Sequence, residues 1–355
     1  MKRLILLTIA ICLQWKYGQA QLQIFKETNQ KGASANVASN EIYTGKKIPD
    51  KLDKQIASIT LKKGYMATLA QNPNGYGERF SFIAAVSDLE VNLNAKLKNN
   101  VSFIRVLPIR NVLKKGGGYI DKKVIDSLNV SWYYNWGPKS ESTATSEFVP
   151  MAWGKKSASL ENIPAYAAKK EITHFLSFNE PDGKDQSNIA VLDAVEPYSN
   201  LLGMGFRLGS PATTEGQATK WLSEFVDDTE AEQLNVDFIA IHWYDWGGWL
   251  QNKQIEPDPE RVFKRFKAYI DKIYERYQKP IWITEFNANR NTTEATHLAF
   301  MKLALPYLES DARIERYAYF FPPALLPIKD GKLTPIGKVY QEFKSTPSLK
   351  ANVTQ

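Results

Sequence analysis

Near its middle the chain reads Ile172-Thr173-His174-Phe175-Leu176-Ser177-Phe178-Asn179-Glu180-Pro181. A short run that is rich in β-branched and aromatic residues is typical of a buried strand. Proline donates no backbone hydrogen bond and keeps the residue before it out of the helical region, so we expect the strand to end at Glu180. The sequence therefore predicts that the Glu180 carboxylate projects from the tip of a strand.

A second stretch, Pro280–Asn287, repeats this design, and its first carboxylate is Glu285. Hydrolysis of a glycosidic bond needs one carboxylic acid to protonate the leaving oxygen and one carboxylate to act as nucleophile or base. Two glutamates at the ends of two apolar strands suit this chemistry. The alternative is that both are surface glutamates that follow core strands.

Strand patterns alternate with helical patterns from residue 129 onward. The seven strands that we predict are Val130–Trp136, Phe148–Trp153, Ile172–Asn179, Phe206–Ala212, Val236–Tyr244, Pro280–Glu285 and Arg316–Phe321. Repeated β-α units indicate a parallel barrel or a doubly wound sheet, and acids and aromatic residues at the strand ends favour a (β/α)8 barrel of the TIM type. If the Glu285 strand is the seventh of the barrel, the Glu180 strand is the fourth. The one strand that we do not assign then lies before the Glu180 strand.

The barrel is assigned to residues 108–345 and a polar tail to residues 346–355. Between Leu107 and Ser127 the strand and helix patterns weaken. The stretch Lys114-Lys115-Gly116-Gly117-Gly118 predicts a flexible connection between two domains.

Residues 22–107 contain an internal repeat, in which Leu52–Leu61 aligns with Leu97–Val106. Strand-like alternation with Asn and Gly turns predicts two four-strand units packed as an all-β sandwich. This arrangement resembles the βγ-crystallin double Greek key. Lys54 and Lys98 stand where calcium-binding members of that fold have acidic or amide residues, so we expect a structural or sugar-binding role and no calcium.

The first 20 residues have the composition of a signal peptide: a basic start, an apolar core from Leu4 to Cys12, and small residues at Gly18 and Ala20. We expect export with a mature start at Gln21, so that the protein is secreted or periplasmic. Cys12 is the only cysteine, which leaves the mature chain without disulfides or thiolate ligands. Lipid attachment at Cys12 is the alternative, which the bulky Ile11 disfavours.

The formal charge is +7, or +4 without residues 1–20, which suggests a mild excess spread over the chain. No basic run contains interleaved aromatic residues, so nucleic acid is not an expected partner. No later segment is long and apolar enough to span a membrane. Three scattered histidines indicate no metal site. We expect a monomer without a cofactor.

Six motifs in order resemble glycoside hydrolase family 128, the β-1,3-glucanases related to alkali-sensitive linkage proteins. The motifs are Ser131–Pro138, Phe148–Gly154, Phe178–Asp182, Gly209–Ala212, His242–Tyr244 and Thr284–Phe286. This resemblance, over residues 112–345, implies an irregular (β/α)8 barrel and a retaining mechanism with Glu180 as acid/base and Glu285 as nucleophile. It also implies that the Asn179 amide holds the sugar 2-hydroxyl, although an asparagine at this place could simply cap the strand end.

Further residues around the two glutamates are candidates for binding substrate. A phenol such as that of Tyr244 would favour the ionised form of Glu285, and His242 either positions the site or is structural. Aromatic rings bind the flat C–H faces of sugars, which makes strand-end aromatics candidate platforms. The candidate platforms are Trp136, Trp153, Trp243, Trp246 and Tyr319. Tyr319-Phe320 occupies the region where the family commonly has a tryptophan.

The sequence thus predicts an exported, endo-acting β-1,3-glucanase with a crystallin-like domain in front of its barrel. One alternative is a β-glucan-binding protein of a polysaccharide-uptake system that has lost turnover, although a binder has no need of both glutamates. Another is a glycosidase of a different β-glycan, because linkage preference depends on the shape of the cleft.

Overall fold

The computed structural model describes residues 21–110, 112–119, 121–245, 249–250, 253–254 and 256–355. The predicted signal peptide and Trp246 lie outside these residues. In the described part, no helix has both the length and the apolar composition needed to cross a membrane.

The N-terminal residues form two four-stranded antiparallel sheets. The first sheet contains β1 (Leu22–Phe25), β2 (Ser34–Val37), β4 (Ser58–Leu61) and β7 (Leu89–Asn92), and the second contains β3 (Ile42–Thr44), β5 (Tyr65–Ala70), β6 (Arg79–Ile83) and β8 (Phe103–Pro108). Alternate residues of both sheets, such as Ile24, Ile59, Leu69 and Ile104, form one shared apolar core. We call this pair of sheets the N-terminal sheets.

Eight parallel strands follow in chain order. They are β9 (Lys115–Gly118), β10 (Trp132–Tyr134), β11 (Glu147–Phe148), β12 (His174–Phe175), β13 (Arg207–Leu208), β14 (Ile239–Tyr244), β17 (Ile281–Asn287) and β18 (Ile314–Tyr319). Six of them form one sheet in the order β11-β10-β9-β18-β17-β14, and β12 pairs with β13. Single bridges, Met151 with Leu176 and Gly209 with Phe238, connect this pair to the two edges of the larger sheet. The strands therefore follow one another around a ring, with Glu180 after the fourth strand and Glu285 on the seventh.

Helices and short hairpins connect these strands. The helices are α1 (Lys122–Ser127), α2 (Ile163–Ala167), α3 (Val191–Leu202), α4 (Trp221–Ala231), α5 (Pro259–Tyr277), α6 (Glu294–Ser310) and α7 (Pro335–Glu342). The hairpin strands are β15 (Trp249–Leu250), β16 (Lys253–Gln254), β19 (Ile328–Lys329) and β20 (Lys332–Leu333). Asp258 caps the start of helix α5 by accepting a hydrogen bond from Glu260 N, and the helix buries one face that includes Val262, Phe266 and Ile270.

The prediction of a flexible connection at residues 114–118 is wrong, because this stretch contains β9, the strand that sequence patterns left unassigned. The Lys115 ammonium is buried and donates to the carbonyls of Tyr340 and Phe343 at the end of α7, each at 2.7 Å. A Cβ at Gly116 would lie 2.1 Å from the Trp132 ring. The glycines are thus needed for close packing, which a composition-based linker rule cannot recognise.

The N-terminal sheets are fixed to the amino-terminal ends of the parallel strands, opposite the ends that carry Glu180 and Glu285. Arg79 forms a buried ion pair with Asp237 at 2.8 Å, and the Arg105 guanidinium lies 4.4 Å from the centre of the Phe206 ring. The final residues, predicted as a polar tail, return to the same region, where Val353 pairs with Ile83 of β6.

Candidate active site

Glu180 leaves its strand in an unusual backbone conformation. Asn179 forms a bridge with Ala212, and Glu180 N donates to Ala212 O at 2.7 Å. The φ angle of Glu180 is 38°, in the left-handed region, which costs on the order of 1–3 kcal/mol for such a residue. Pro181 excludes the ordinary helical conformation here. The bend directs the carboxylate towards the inside of the ring of strands.

A β-bulge directs Glu285 into the same space. The register between β14 and β17 runs from Ile241–Ile283 to His242–Glu285, so that Thr284 is the extra residue. Successive strand residues point to opposite faces, and without the extra residue the side chain at 285 would face outward, as that of Ile283 does. Bulges commonly redirect side chains beside active sites, and this one places Glu285 in the interior.

Three aromatic donors surround the Glu285 carboxylate. Trp136 Nε1 donates to Oε1 at 2.8 Å, Tyr134 Oη lies 3.2 Å from the same oxygen, and Tyr244 Oη donates to Oε2. Burial, together with the negative charge of Glu285, raises the pKa of both tyrosines well above its ordinary value. Both phenols therefore remain protonated and act as hydrogen-bond donors to the Glu285 carboxylate.

His242 lies between the two glutamates. Its Nδ1 is 2.9 Å from Glu180 Oε1 and its Nε2 is 3.6 Å from Glu285 Oε1. Burial lowers the pKa of His242, but the carboxylates of Glu285 and Glu180 outweigh this effect and raise the pKa above its ordinary value. The raised pKa favours the protonated imidazole, whose two nitrogens each lie beside one of the glutamates.

One atom from each of Glu180, His242 and Glu285 could serve as a metal ligand, and these three atoms lie within 4.8 Å of one another. The sequence prediction of scattered histidines missed this grouping. An imidazolium has no free lone pair, so protonation of His242 opposes metal binding. The arrangement instead suits proton transfer and nucleophilic attack by two carboxylates.

A cavity of about 610 Å³ opens in front of the two glutamates. Most of its lining residues are of polar type, and Phe320 and Pro323 are apolar. The lining residues are Glu180, Gln186, Tyr244, Asp245, Glu285, Asn287, Asn289, Arg290, Asn291, Phe320 and Pro323. Phe320 also contacts Trp136 and Tyr244 edge to face, with ring centres 6.1 and 5.8 Å apart. The cavity combines hydroxyl-binding groups with one aromatic platform, as a sugar site requires.

Two predicted platforms lie elsewhere. Trp243 is fully buried against Phe266 and Phe300, and Tyr319 is buried with its hydroxyl bonded to His297 Nδ1. Both side chains point outward between strands and helices, because their neighbours in sequence point inward and strand residues alternate. The predictions that Trp243 and Tyr319 bind substrate are therefore wrong, and Phe320 takes the place expected of Tyr319.

The other predicted residues are distributed as follows. Asn179 Nδ2 donates to Gln186 Oε1 at 3.0 Å, while its buried Oδ1 accepts no hydrogen bond from any described residue. Trp136 donates to Glu285 and packs edge to face against Phe320, which lines the cavity. Trp153 is half-buried against the cluster that lines the inside of the ring. Trp246 lies outside the described residues.

Sequence reasoning missed Tyr134 as a partner of Glu285 and Phe320 as a lining residue. A signal existed for Tyr134, which shares one face of its strand with Trp132 and Trp136. Alternation from His242 and Tyr244 would likewise have excluded Trp243. The bulge that turns Glu285 inward has no such signal, because it depends on pairing with the neighbouring strands.

Comparison with known proteins agrees with this geometry. The family model for the glycosyl hydrolase catalytic core matches residues 116–340. The chain therefore belongs to the glycosyl hydrolase catalytic core family, and it is a glycoside hydrolase.

The relatives place it more narrowly, near glycoside hydrolase family 128. Over 247 residues the chain is 29% identical to alkali-sensitive linkage protein 1 of Schizosaccharomyces pombe, which spans 63% of this chain and 42% of that protein. The chain thus matches less than half the length of this curated relative.

Two solved structures are also similar. An endo-β-1,3-glucanase of family 128 from Amycolatopsis mediterranei, a glutamate-to-alanine variant in complex with laminaripentaose, has a TM-score of 0.58 at 26% identity and covers 65% of this chain and 99% of its own. A curdlan-specific exo-β-1,3-glucanase of the same family from Blastomyces gilchristii, in complex with glucose, has a TM-score of 0.54 at 31% identity and covers 65% and 98%.

Proposed function

We propose that this chain hydrolyses β-1,3-glucan with retention of anomeric configuration, with Glu180 as acid/base and Glu285 as nucleophile. The proposal includes export of the protein, endo action, and an irregular (β/α)8 barrel as the catalytic domain. The barrel is supported by the eight parallel strands and the two single bridges between β12-β13 and the larger sheet.

The separation of the two carboxylates carries the mechanistic proposal. One oxygen of Glu180 and one of Glu285 lie within 4.8 Å of each other. Retaining glycosidases have carboxyl groups about 5–5.5 Å apart, whereas inverting enzymes need about 6.5–9.5 Å to admit a water molecule between carboxylate and sugar. The short separation leaves no room for that water and favours direct attack by a carboxylate.

The surroundings of each glutamate support its role. Glu285 attacks the anomeric carbon, and protonated Glu180 gives its proton to the leaving oxygen, so a glycosyl ester forms as the glycosidic bond breaks. Glu180, now ionised, removes a proton from water, and the water oxygen attacks the anomeric carbon and releases Glu285. In the first step, hydrogen bonds from Tyr134, Trp136 and Tyr244 hold the Glu285 oxygens in position for attack. In the second step, the same hydrogen bonds stabilise the negative charge that returns to the Glu285 carboxylate.

The substrate rests on the relatives, because two enzymes with similar structures act on β-1,3-glucans, one as an endo- and one as an exo-enzyme. The retained carboxylate pair argues for turnover over binding alone. Endo action follows from the sequence interpretation and is the part that product analysis must test.

The test measures reducing ends released from laminarin, cellulose, mixed-linkage glucan and mannan by the native chain, by Glu285→Gln and by Glu342→Gln. Glu342 is exposed on α7, far along the chain from the site, and controls for the amide substitution itself. We expect cleavage of laminarin by the native chain and by Glu342→Gln, and none by Glu285→Gln. Laminarin that binds to the native chain but is not cut would show a receptor, and cleavage of another glycan alone would contradict the assigned substrate.

A further inference from the structure

The positive charge of the protein is concentrated in the N-terminal sheets. Residues 22–107 contain twelve Lys or Arg and seven Asp or Glu, a formal charge of +5. Residues 108–355 contain 30 basic and 31 acidic residues, a charge of −1. The mild excess that the sequence interpretation spread over the chain therefore belongs to one domain. A localised charge of this kind indicates a charged partner, whereas a dispersed one does not.

Most of these charges lie at one end of the two sheets. The segments 45–57 and 93–102, which cross between the sheets, are joined by hydrogen bonds from Lys54 N to Val101 O at 2.9 Å and from Asn99 N to Ile56 O at 2.8 Å. The turn between β1 and β2 and the turn between β5 and β6 reach the same end, because Phe25 pairs with Ser58 and Ala70 with Phe103. We call the surface formed by residues 26–33, 45–57, 71–78 and 93–102 the basic end.

The basic end carries eight exposed lysines. They are Lys26, Lys31, Lys46, Lys47, Lys51, Lys54, Lys96 and Lys98. The same segments contain four acids, of which Glu78 pairs with Lys96 at 3.3 Å and Asp53 accepts a hydrogen bond from Ser102. The net charge of +4 is thus mostly uncompensated. The opposite end has Lys62 and Lys63 with three acids, and the two arginines of the sheets are buried against the catalytic domain.

The residue types at the basic end favour some classes of polyanion over others. Its segments contain no arginine, and their one aromatic residue, Tyr76, is bonded to Ser199 Oγ at 2.8 Å. Bases cannot stack there, and phosphates find no bidentate partner, which disfavours nucleic acid. Among the described residues, the large exposed apolar side chains are Val86, Leu160, Leu192 and Leu326, and all of them lie outside the basic end. The basic end therefore has no large exposed apolar side chain that could insert into a membrane.

We propose that the basic end binds acidic polysaccharides, with lysines on the carboxylate or sulfate groups and exposed amides such as Asn94, Asn99 and Gln55 on the hydroxyls. Lysines on flexible stems suit the diffuse, irregular charge of such polymers. This surface lies on a domain fixed at the end of the ring opposite Glu180 and Glu285. Binding there leaves the catalytic cavity open, and the proposal does not depend on the substrate of that cavity.

The test measures binding of the full chain to alginate, dextran sulfate, neutral dextran and double-stranded DNA at several salt concentrations. One variant replaces Lys46, Lys47, Lys51 and Lys98 by Gln. Its matched control replaces four exposed lysines of the catalytic domain, Lys122, Lys264, Lys272 and Lys302, by Gln, which changes the net charge equally. The thermal unfolding midpoint serves as the folding readout, and a Lys46→Gln/Lys47→Gln double variant replaces the quadruple one if that variant fails to fold.

We expect the native chain and the control to bind alginate or dextran sulfate in a salt-dependent way and to ignore neutral dextran. The basic-end variant should bind on the order of five hundredfold more weakly, because each of its four replaced lysines contributes roughly a fivefold factor near an anionic surface, and it should unfold at the native midpoint. The proposal is overturned if the native chain binds neither acidic polymer, if both variants weaken equally, or if DNA binds more tightly than either polysaccharide.

Discussion

Each end of the ring of parallel strands holds buried carboxylates beside a histidine. The side chains that pair with these carboxylates differ between the two ends. At the amino-terminal end, Glu147 pairs with Arg316 at 2.9 Å and Glu315 pairs with Arg207 at 2.9 Å. The pKa of His174 is lowered to about 4, mainly by burial and secondly by the positive charge of Arg316. Glu147 and Glu315 thus each have a guanidinium partner, and the lowered pKa favours the neutral form of His174.

At the carboxyl-terminal end, the partners are different. Glu285 accepts hydrogen bonds from phenol and indole groups, and His242 lies between it and Glu180 with a raised pKa. In the described part of the chain, neither glutamate forms an ion pair with lysine or arginine. An arginine keeps its proton at all accessible pH values and fixes its partner as an anion, whereas neutral donors and an imidazole leave a carboxylate able to exchange a proton. The choice of partner thus separates a structural carboxylate from a reactive one.

The largest expected effect concerns the reactive end. Glu180→Gln should lower laminarin turnover by about 10²–10⁴-fold, the usual contribution of a general acid/base, while the unfolding midpoint stays unchanged. An aryl β-glucoside with a good leaving group needs no acid in the first step, so its glycosylation rate should fall much less. Turnover of laminarin within a few fold of the native value would remove Glu180 from the mechanism.

The matching substitution at the structural end should do the opposite. Glu147→Gln leaves Arg316 buried without its partner, and breaking a buried ion pair in this way costs about 3–5 kcal/mol. Urea unfolding should show this loss, while kcat per folded molecule stays at the native value. A lost kcat with unchanged stability would contradict the division between the two ends.

A smaller effect concerns the pH dependence of stability. The pKa of His174 is about 4 in the folded chain against 6.5 for a free side chain, so as pH falls the unfolded chain binds this proton first. The stability that His174 contributes is complete above about pH 6.5 and is lost as pH falls towards 4. Between pH 7 and 5 this amounts to about 2 kcal/mol.

The measurement is the free energy of unfolding of the native chain and of His174→Gln at both pH values. The decrease from pH 7 to 5 should be about 2 kcal/mol smaller in the variant. An equal decrease in both proteins would mean that the fold does not lower the pKa of His174.

The smallest effect compares Tyr319, the last residue of β18, with Phe320, which follows it. Phe320→Ala should raise KM for laminarin about three- to tenfold, because an aromatic contact contributes about 0.5–1.5 kcal/mol. Tyr319→Phe should leave KM unchanged, since its hydroxyl contacts His297 outside the cavity. Steady-state kinetics on both variants decides the matter, and a raised KM for Tyr319→Phe would restore the original prediction from sequence.

The features that the sequence predicted correctly are those with local signals. The apolar run to Phe178 and the following proline indicated the position of Glu180, and the apolar face of α5 was visible from its period. Counting back from Glu285 placed the Glu180 strand fourth, as the strand order shows. The resemblance to a family of glycoside hydrolases agrees with the family model and the solved structures.

The features that were missed depend on pairing between distant segments. The Trp132 ring packs against Gly116 where a Cβ atom would lie, which explains a glycine in this strand. Nothing in the local sequence distinguishes Gly116 from a linker residue. Glu285 faces inward because of a bulge defined by the register with β14. Trp243 and Tyr319 were chosen for residue type, where alternation along the strand decides which side chains reach the cavity.

The most direct test of the central claim is the anomeric form of the first product. Proton NMR during cleavage of laminari-oligosaccharides by the native chain distinguishes the two configurations before mutarotation mixes them. Carboxylates as close as those of Glu180 and Glu285 predict that the β-anomer appears first and the α-anomer only later. Initial release of the α-anomer would show inversion and would contradict the assignment of Glu285 as a nucleophile.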